Sequence, residues 1–339
     1  MSQKSWIPRA PALSGMFPAD PDYCAVGKDV ERWLLDALDM VGKVSAPKGQ
    51  QGKAGFFRVE GGEQDLFIKV VRSVECETQK LAASIQMQLT ATSALAPRVL
   101  SMIEQNEYLL IISEMLPVRV LSSKDDCFHD LGVQLRKLHD VLKLSSDART
   151  VSERSQERLT ILGETFRAYG IRSPLRTKVI EALKAIDGKR NFWSVPDSDA
   201  QVVHGDLNPG NILIGKGAGP LRFTDFEDAT VSFFPVCYDL AYVLLRVIFP
   251  ATSNGQDCRG AVADFLDGYC GKDCMSKLRF DDLVWWMPWI CLRNDCLLDK
   301  LEQEGVLSDQ ELRSERDKLS FLVEHMDKYI ATLRELAED

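Results

Sequence analysis

The stretches His204-Gly205-Asp206-Leu207-Asn208-Pro209-Gly210-Asn211 and Phe223-Thr224-Asp225-Phe226-Glu227 hold the residues best suited to chemistry. An aspartate precedes an asparagine by five positions, and a second aspartate follows fourteen positions later. Moving a phosphoryl group from a nucleoside triphosphate needs an acceptor oxygen held in line and the phosphate charge neutralised. One carboxylate must meet the acceptor hydroxyl. A second carboxylate and an amide oxygen are the hard ligands that Mg²⁺ takes. Asp206, Asn211 and Asp225 supply that set. Asp206 would be the catalytic residue, and Asn211 and Asp225 would hold the metal. Pro209-Gly210 is a turn between the first two. The plainer reading is that Asp206 and Asn211 only close turns with their side chains, as these residues often do.

Those groups need a frame, and the chain changes character along its length. Residues 1 to about 25 read as an irregular arm, followed by an amphipathic helix over Lys28 to Val41. Strand signals then dominate: Val44–Pro47, Phe56–Val59, Leu66–Val71, Arg98–Ile103 and Tyr108–Ser113. One helix is expected among them, over Glu75 to Leu89. After Pro117 helical stripes take over, first with Phe128, Leu131, Leu135, Leu138 and Leu142. Short strands return at 202–203, 212–214 and 221–223, and from Asp239 onward the reading is nearly all helix. The expectation is an α+β fold of two lobes, a small antiparallel-sheet lobe and a large helical one. Its divisions are 1–43 (arm and helix), 44–116 (sheet lobe) and 117–339 (helical lobe).

Composition narrows the function classes. Hydrophobic residues make up 45% and charged residues 27%, as in a globular protein. The net charge of −9 and the lack of Lys/Arg clusters speak against nucleic acid, whose binders need a basic face. The opening stretch lacks the apolar core of a signal peptide, and Ala241–Phe249 is too short to span a bilayer, so a cytoplasmic protein is expected. Nine cysteines include no Cys-x-x-Cys pair. Cys258, Cys270 and Cys274 have no histidine or fourth cysteine at finger-like spacing, so reduced thiols are the reading.

The motifs resemble those of the aminoglycoside phosphotransferase and choline kinase superfamily, small-molecule kinases with a protein-kinase-like fold. Protein kinases read His-Arg-Asp-Leu-x-x-x-Asn followed by Asp-Phe-Gly. Here Gly205 replaces the arginine and Glu227 the last glycine, as in that superfamily. No Ala-Pro-Glu follows Asp225, and little chain separates it from the helix at Asp239, so a peptide-docking activation segment is not expected. The resemblance implies transfer of the γ-phosphate of ATP or GTP, with Mg²⁺, to a hydroxyl of a small acceptor: an amino sugar, an aminoglycoside-like antibiotic, a choline-like compound or another alcohol. A catalytically silent binding or scaffold protein is the alternative. It would be expected to have lost one of Lys69, Asp206, Asn211 or Asp225, and all four are present.

The resemblance also implies roles around the nucleotide. Lys69, at the end of Leu66-Phe67-Ile68, resembles the strand lysine that reaches the α- and β-phosphates. Glu77 is the carboxylate expected to fix it, because Leu81 lies four residues on as in the family; Glu75 is the rival on another helix face. The loop holding Gly49, Gly52 and Gly55 would let backbone amides approach the phosphates. Ser113–Pro117 looks like the hinge that pairs with the base through the Glu114 carbonyl and the Leu116 amide. His139 and His204 read as scaffold histidines, and Asp239 as a brace of the catalytic loop or a helix cap. Glu227, Trp289 and Asp295 are candidates for contacting the acceptor. Trp285, Trp286 and Trp289 with the acids Asp281, Asp282, Asp295 and Asp299 would suit a cation through aromatic faces and ion pairs, or would simply pack a core.

Overall fold

The computed structural model describes residues 23–48, 55–72, 75–122, 125–170, 173–194, 199–215, 220–252, 257–271, 279–305 and 307–338. The N-terminal arm up to residue 22, the loop positions Gly49 and Gly52, and Cys274 lie outside them. The chain forms two compact units.

The first unit runs to Leu121 and takes up Gly210–Glu227 again. Its strands are β1 (Tyr23–Ala25), β2 (Lys43–Pro47), β3 (Gly55–Glu60), β4 (Leu66–Arg72), β5 (Val99–Gln105), β6 (Tyr108–Glu114) and β7 (Val118–Val120), with helices α1 (Lys28–Leu38) and α2 (Cys76–Thr92). Six strands form one antiparallel sheet in the order β1-β2-β3-β4-β6-β5. β4 is central, and its Leu66, Phe67, Ile68, Val70 and Val71 are all buried. A strand covered on both faces needs an apolar run rather than alternation. α1 lays Val30 and Leu34 on the sheet beside Val44, Phe57 and Val59.

The chain next builds α3 (Phe128–Leu142), α4 (Ala148–Tyr169), α5 (Pro174–Asp187) and β8 (Gln201–Val202), before returning to the first unit for β9 (Ile212–Gly215) and β10 (Leu221–Phe223). These two strands and β7 make a second antiparallel sheet, ordered β10-β9-β7. That pairing explains why the first unit extends past the expected change at Glu114–Pro117: β7 hydrogen-bonds to β9, and the Leu121 N–H continues the ladder to the Ile212 carbonyl at 2.9 Å.

The second unit, from Ser122 to Pro209 and from Asp228 onward, is helical. It adds β11 (Phe233–Phe234), which pairs with β8, and α6 (Cys237–Val243), α7 (Phe249–Thr252), α8 (Cys258–Cys270), α9 (Phe280–Gln303), α10 (Asp309–Glu324) and α11 (Met326–Glu338). A π-helical turn, Leu244–Ile248, joins α6 to α7. α3 and α8 cross through glycines: a Cβ on Gly132 would fall 2.2 Å from the Phe265 carbonyl oxygen, and one on Gly268 would fall 2.1 Å from that of His129. No described helix is long and apolar enough to cross a membrane. Cys258 and Cys270 are partly buried, and no cluster of three or more His, Cys, Asp or Glu side chains that could hold a metal ion occurs among the described residues.

Candidate active site

In the first unit, the β9–β10 hairpin sets two of the expected groups at one end. Phe223 pairs with Ile212, and the Thr224 N–H donates to the Asn211 carbonyl at 3.1 Å, so Asn211 and Asp225 sit where the hairpin strands meet. Asn211 is fully buried. Asp225 has φ of 65°, a left-handed conformation uncommon outside glycine and costly enough to mark a residue held by its surroundings. Both offer hard oxygen donors of the kind Mg²⁺ takes, and neither brings a soft ligand.

Lys69 projects from β4 towards the same hairpin. Its ammonium hydrogen-bonds to Glu227 and lies 3.8 Å from the Asp225 carboxylate. Burial disfavours its charge, but the Glu227 and Asp225 carboxylates outweigh that and raise its pKa above the usual lysine value. The expected Lys69–Glu77 pair is therefore corrected. Glu77 is 73% exposed and lies 3.8 Å from Lys80, one turn along α2. The cause is helical phase: α2 buries Gln79, Ala82, Ala83, Ile85 and Leu89, and Glu77 lies on the opposite side. Glu75 shares the buried phase with Gln79 and Ala82 and acts on Lys69 electrostatically. Glu227, expected near the acceptor, is instead the carboxylate bonded to Lys69. Glu227 follows the Asp-Phe pair directly, and that adjacency was the available signal.

Gly55 opens β3 opposite Val70. Glu114 ends β6; its carboxylate accepts the Arg98 N–H at 2.8 Å, and its N–H donates to the Arg98 carbonyl at 3.0 Å. The Leu116 carbonyl accepts from the Val118 N–H at 2.9 Å, a three-residue turn that leads into β7.

In the second unit, the His204–Asp206 turn is braced from below. Asp239, fully buried in the first turn of α6, accepts the His204 N–H at 2.8 Å and the Gly205 N–H at 3.0 Å. His139 reaches the same carboxylate at 3.1 Å through Nε2, while its Nδ1 lies 2.8 Å from the Tyr269 hydroxyl. Gly205 has φ of 86°, and a Cβ there would lie 2.3 Å from Ser232 Oγ. Only glycine fits both demands. Asp206 emerges from this turn with each oxygen engaged: Tyr242 donates its hydroxyl to Oδ1 at 2.6 Å, and Asn208 Nδ2 donates to Oδ2 at 3.0 Å. Burial and the nearby Asp206 charge push the Tyr242 phenol well above its ordinary pKa, so it remains a donor. Tyr242 was missed in the sequence; its place four residues before Arg246 on an apolar helix gave no chemical signal.

The aromatic cluster is core. Trp289 is 1% exposed, its indole N–H donates to the Phe192 carbonyl at 2.6 Å, and its ring packs on Phe234 and Tyr238. The cation over Trp285 is the protein's own Arg190, 3.8 Å from the ring centre. Asp295 is paired with buried Arg176, which also binds Asp299 at 2.7 Å. Trp289 and Asp295 are thus withdrawn as acceptor contacts. An aromatic and acidic run on a helix looks the same in sequence whether its cation is a ligand or an arginine of the same fold.

Beneath Asp206, Asp228 takes Arg158 at 2.7 Å and Arg293 at 3.2 Å on separate oxygens. Burial would raise the Asp228 pKa, but the two guanidinium groups prevail and hold it at about 2.

Solved structures share this fold. The aminoglycoside-3'-phosphotransferase of type VIII superposes with a TM-score of 0.51 at 19% identity, covering 77% of this chain and 98% of that one. Choline kinase LicA from Streptococcus pneumoniae gives 0.58 at 13% identity over 90% and 99%. Amicoumacin kinase hAmiN, in complex with AMP-PNP, Ca²⁺ and Ami, gives 0.55 at 16% identity over 82% and 86%. At such identities the likeness concerns the protein-kinase-like fold. No curated protein matches the sequence significantly. The model of the phosphotransferase enzyme family matches residues 44–280, well over half of the sequence, and this chain belongs to that family.

Proposed function

We propose that the protein is a small-molecule kinase, transferring the γ-phosphoryl group of ATP or GTP to a hydroxyl of a small acceptor. The observation that carries the reading is the β9–β10 hairpin, which holds Asn211 and Asp225 together with Lys69 3.8 Å from the Asp225 carboxylate. A lysine between two carboxylates is a cation ready to meet phosphate oxygens, and Asn211 and Asp225 are the residues that would hold Mg²⁺. That ion supplies charge neutralisation for the transferring phosphoryl group. Asp206 orients the acceptor hydroxyl. The acceptor oxygen bonds to Pγ as the bond from Pγ to the bridging oxygen breaks, the proton passes to Asp206, and the nucleoside diphosphate leaves. The Tyr242 and Asn208 hydrogen bonds fix the carboxylate for this task. The strained backbone at Asp225 and the glycine-only turn at Gly205 fit residues kept for chemistry rather than stability.

The test is a screen of alcohols with labelled ATP and Mg²⁺, run beside Asp225→Ala and Asp206→Asn. Asp225→Ala should abolish turnover with the fold intact. Asp206→Asn should lower kcat by about 10²–10⁴-fold, with nucleotide affinity nearly unchanged. Turnover near wild type in either variant removes that residue from the mechanism.

A further inference from the structure

The second unit contains a cavity of about 560 Å³ whose wall includes Asp206, Tyr242 and Arg246. Most charged groups of that wall already have partners. Asp206 is held by Tyr242 and Asn208. Asp228 and Arg293 hold each other, with Arg158 behind them. Lys318 pairs with Glu315 at 2.6 Å, and Glu311 is engaged by Ser308 in the capping box of α10. Arg246 is the exception. Its half-buried guanidinium makes no hydrogen bond and no ion pair among the described residues, although Asp206 and Glu315 act on it electrostatically. A guanidinium has five donors and cannot lose its charge, and that of Arg246 lines the cavity with no donor among the buried unsatisfied groups, so its donors are open to a ligand.

Position supports a functional reason. Arg246 occupies the middle of the π-helical turn Leu244–Ile248. Such turns occur mostly as single insertions, frequently at functional sites. It also lies about one turn after Tyr242, lines the same cavity as Tyr242 and Asp206, and is acted on electrostatically by both. One small molecule can therefore meet Asp206 and Arg246 together. On α9 the wall adds Asn294 and the aliphatic Leu297, Leu298 and Leu301.

We propose that this cavity binds the acceptor as a small alcohol carrying an anionic group, a carboxylate or a phosphate, which Arg246 grips while the hydroxyl faces Asp206. The proposal rests on the kinase reading for its direction of transfer, but its recognition element belongs to the cavity alone. The aliphatic wall takes the carbon chain between the two ends. A guanidinium pairs with either anion through two parallel N–H···O bonds, which a neutral or cationic alcohol cannot offer.

The experiment is calorimetry on the full chain without nucleotide, using matched probes: glycerophosphate against glycerol, hydroxybutyrate against butanediol, and choline as the cation. At least one anionic probe should bind about 10- to 100-fold more tightly than its neutral match, the range of a charge-assisted pair. The phosphate and carboxylate arms identify the anion. Arg246→Met should erase the difference, and Arg246→Lys should keep part of it, with circular dichroism confirming the fold of both. Equal binding within each pair, tighter binding of choline, no binding of either anionic probe, or discrimination surviving in Arg246→Met overturns the assignment. Binding of AMP-PNP with Mg²⁺ is measured separately. Its loss would remove the kinase reading while the probe series still decides the role of Arg246, and transfer to choline alone would do the reverse.

Discussion

Tyr242 donates its hydroxyl to Asp206 Oδ1 at 2.6 Å, from the same helical stretch whose first turn carries Asp239, the brace of the loop on which Asp206 stands. One helix thus fixes both the backbone and the side chain of the proposed catalytic residue. Tyr242→Phe keeps the ring and removes only the donor. A hydrogen bond to a charged group contributes about 1.5–3 kcal/mol, so kcat should fall by roughly tenfold or more, with KM for ATP unchanged. Steady-state kinetics at saturating acceptor check this; unaltered kcat would mean that Asn208 and the loop suffice.

The Lys69 pairing separates two glutamates cleanly. Glu227→Gln should raise KM for ATP and lower kcat/KM by about 10- to 100-fold, since Lys69 loses its closest carboxylate. Glu77→Gln should leave both kinetics and melting temperature as they are, because Glu77 is 73% exposed. The reverse result would restore Glu77 as the partner of Lys69.

Asp228 has a sign that can be worked out. Its folded pKa of about 2 lies below the ordinary 3.8, so its ionised form is favoured in the folded state. The stabilisation is complete above pH 3.8 and is lost as pH falls from there through about 2. At neutral pH Asp228→Asn removes the carboxylate that faces two buried guanidinium groups and should cost about 3–5 kcal/mol. Denaturation curves taken stepwise down to pH 2 should show the gap between wild type and variant narrowing within that window; a constant gap would mean that the shift is absent.

Gly205→Ala tests the turn before Asp206. The left-handed φ and the 2.3 Å approach to Ser232 Oγ together predict a loss of about 1–3 kcal/mol, with activity falling further than stability because Asp206 is re-aimed. Adding Ser232→Ala should recover part of the stability by removing the oxygen but not the strained φ. Wild-type melting temperature in the single variant would show that the turn tolerates a side chain.

What the sequence determined by itself is the local grammar: the apolar run of β4, the stripe of α3, and the spacing of Asp206, Asn211 and Asp225, all set by interactions within a few residues of chain. Side-chain partners were a different matter. Whether Lys69 meets Glu77 or Glu227 depends on which face of α2 the sheet buries, and on a contact across 158 positions of chain. Whether the tryptophans and acids of α9 serve a ligand or a core depends on Arg176 of α5 and on Arg190 beyond that helix, which only packing brings to them. Charges pair with whatever the fold sets within a few ångströms, so long-range ion pairs, and the half-buried Arg246 beside Asp206, were decided by the tertiary structure alone.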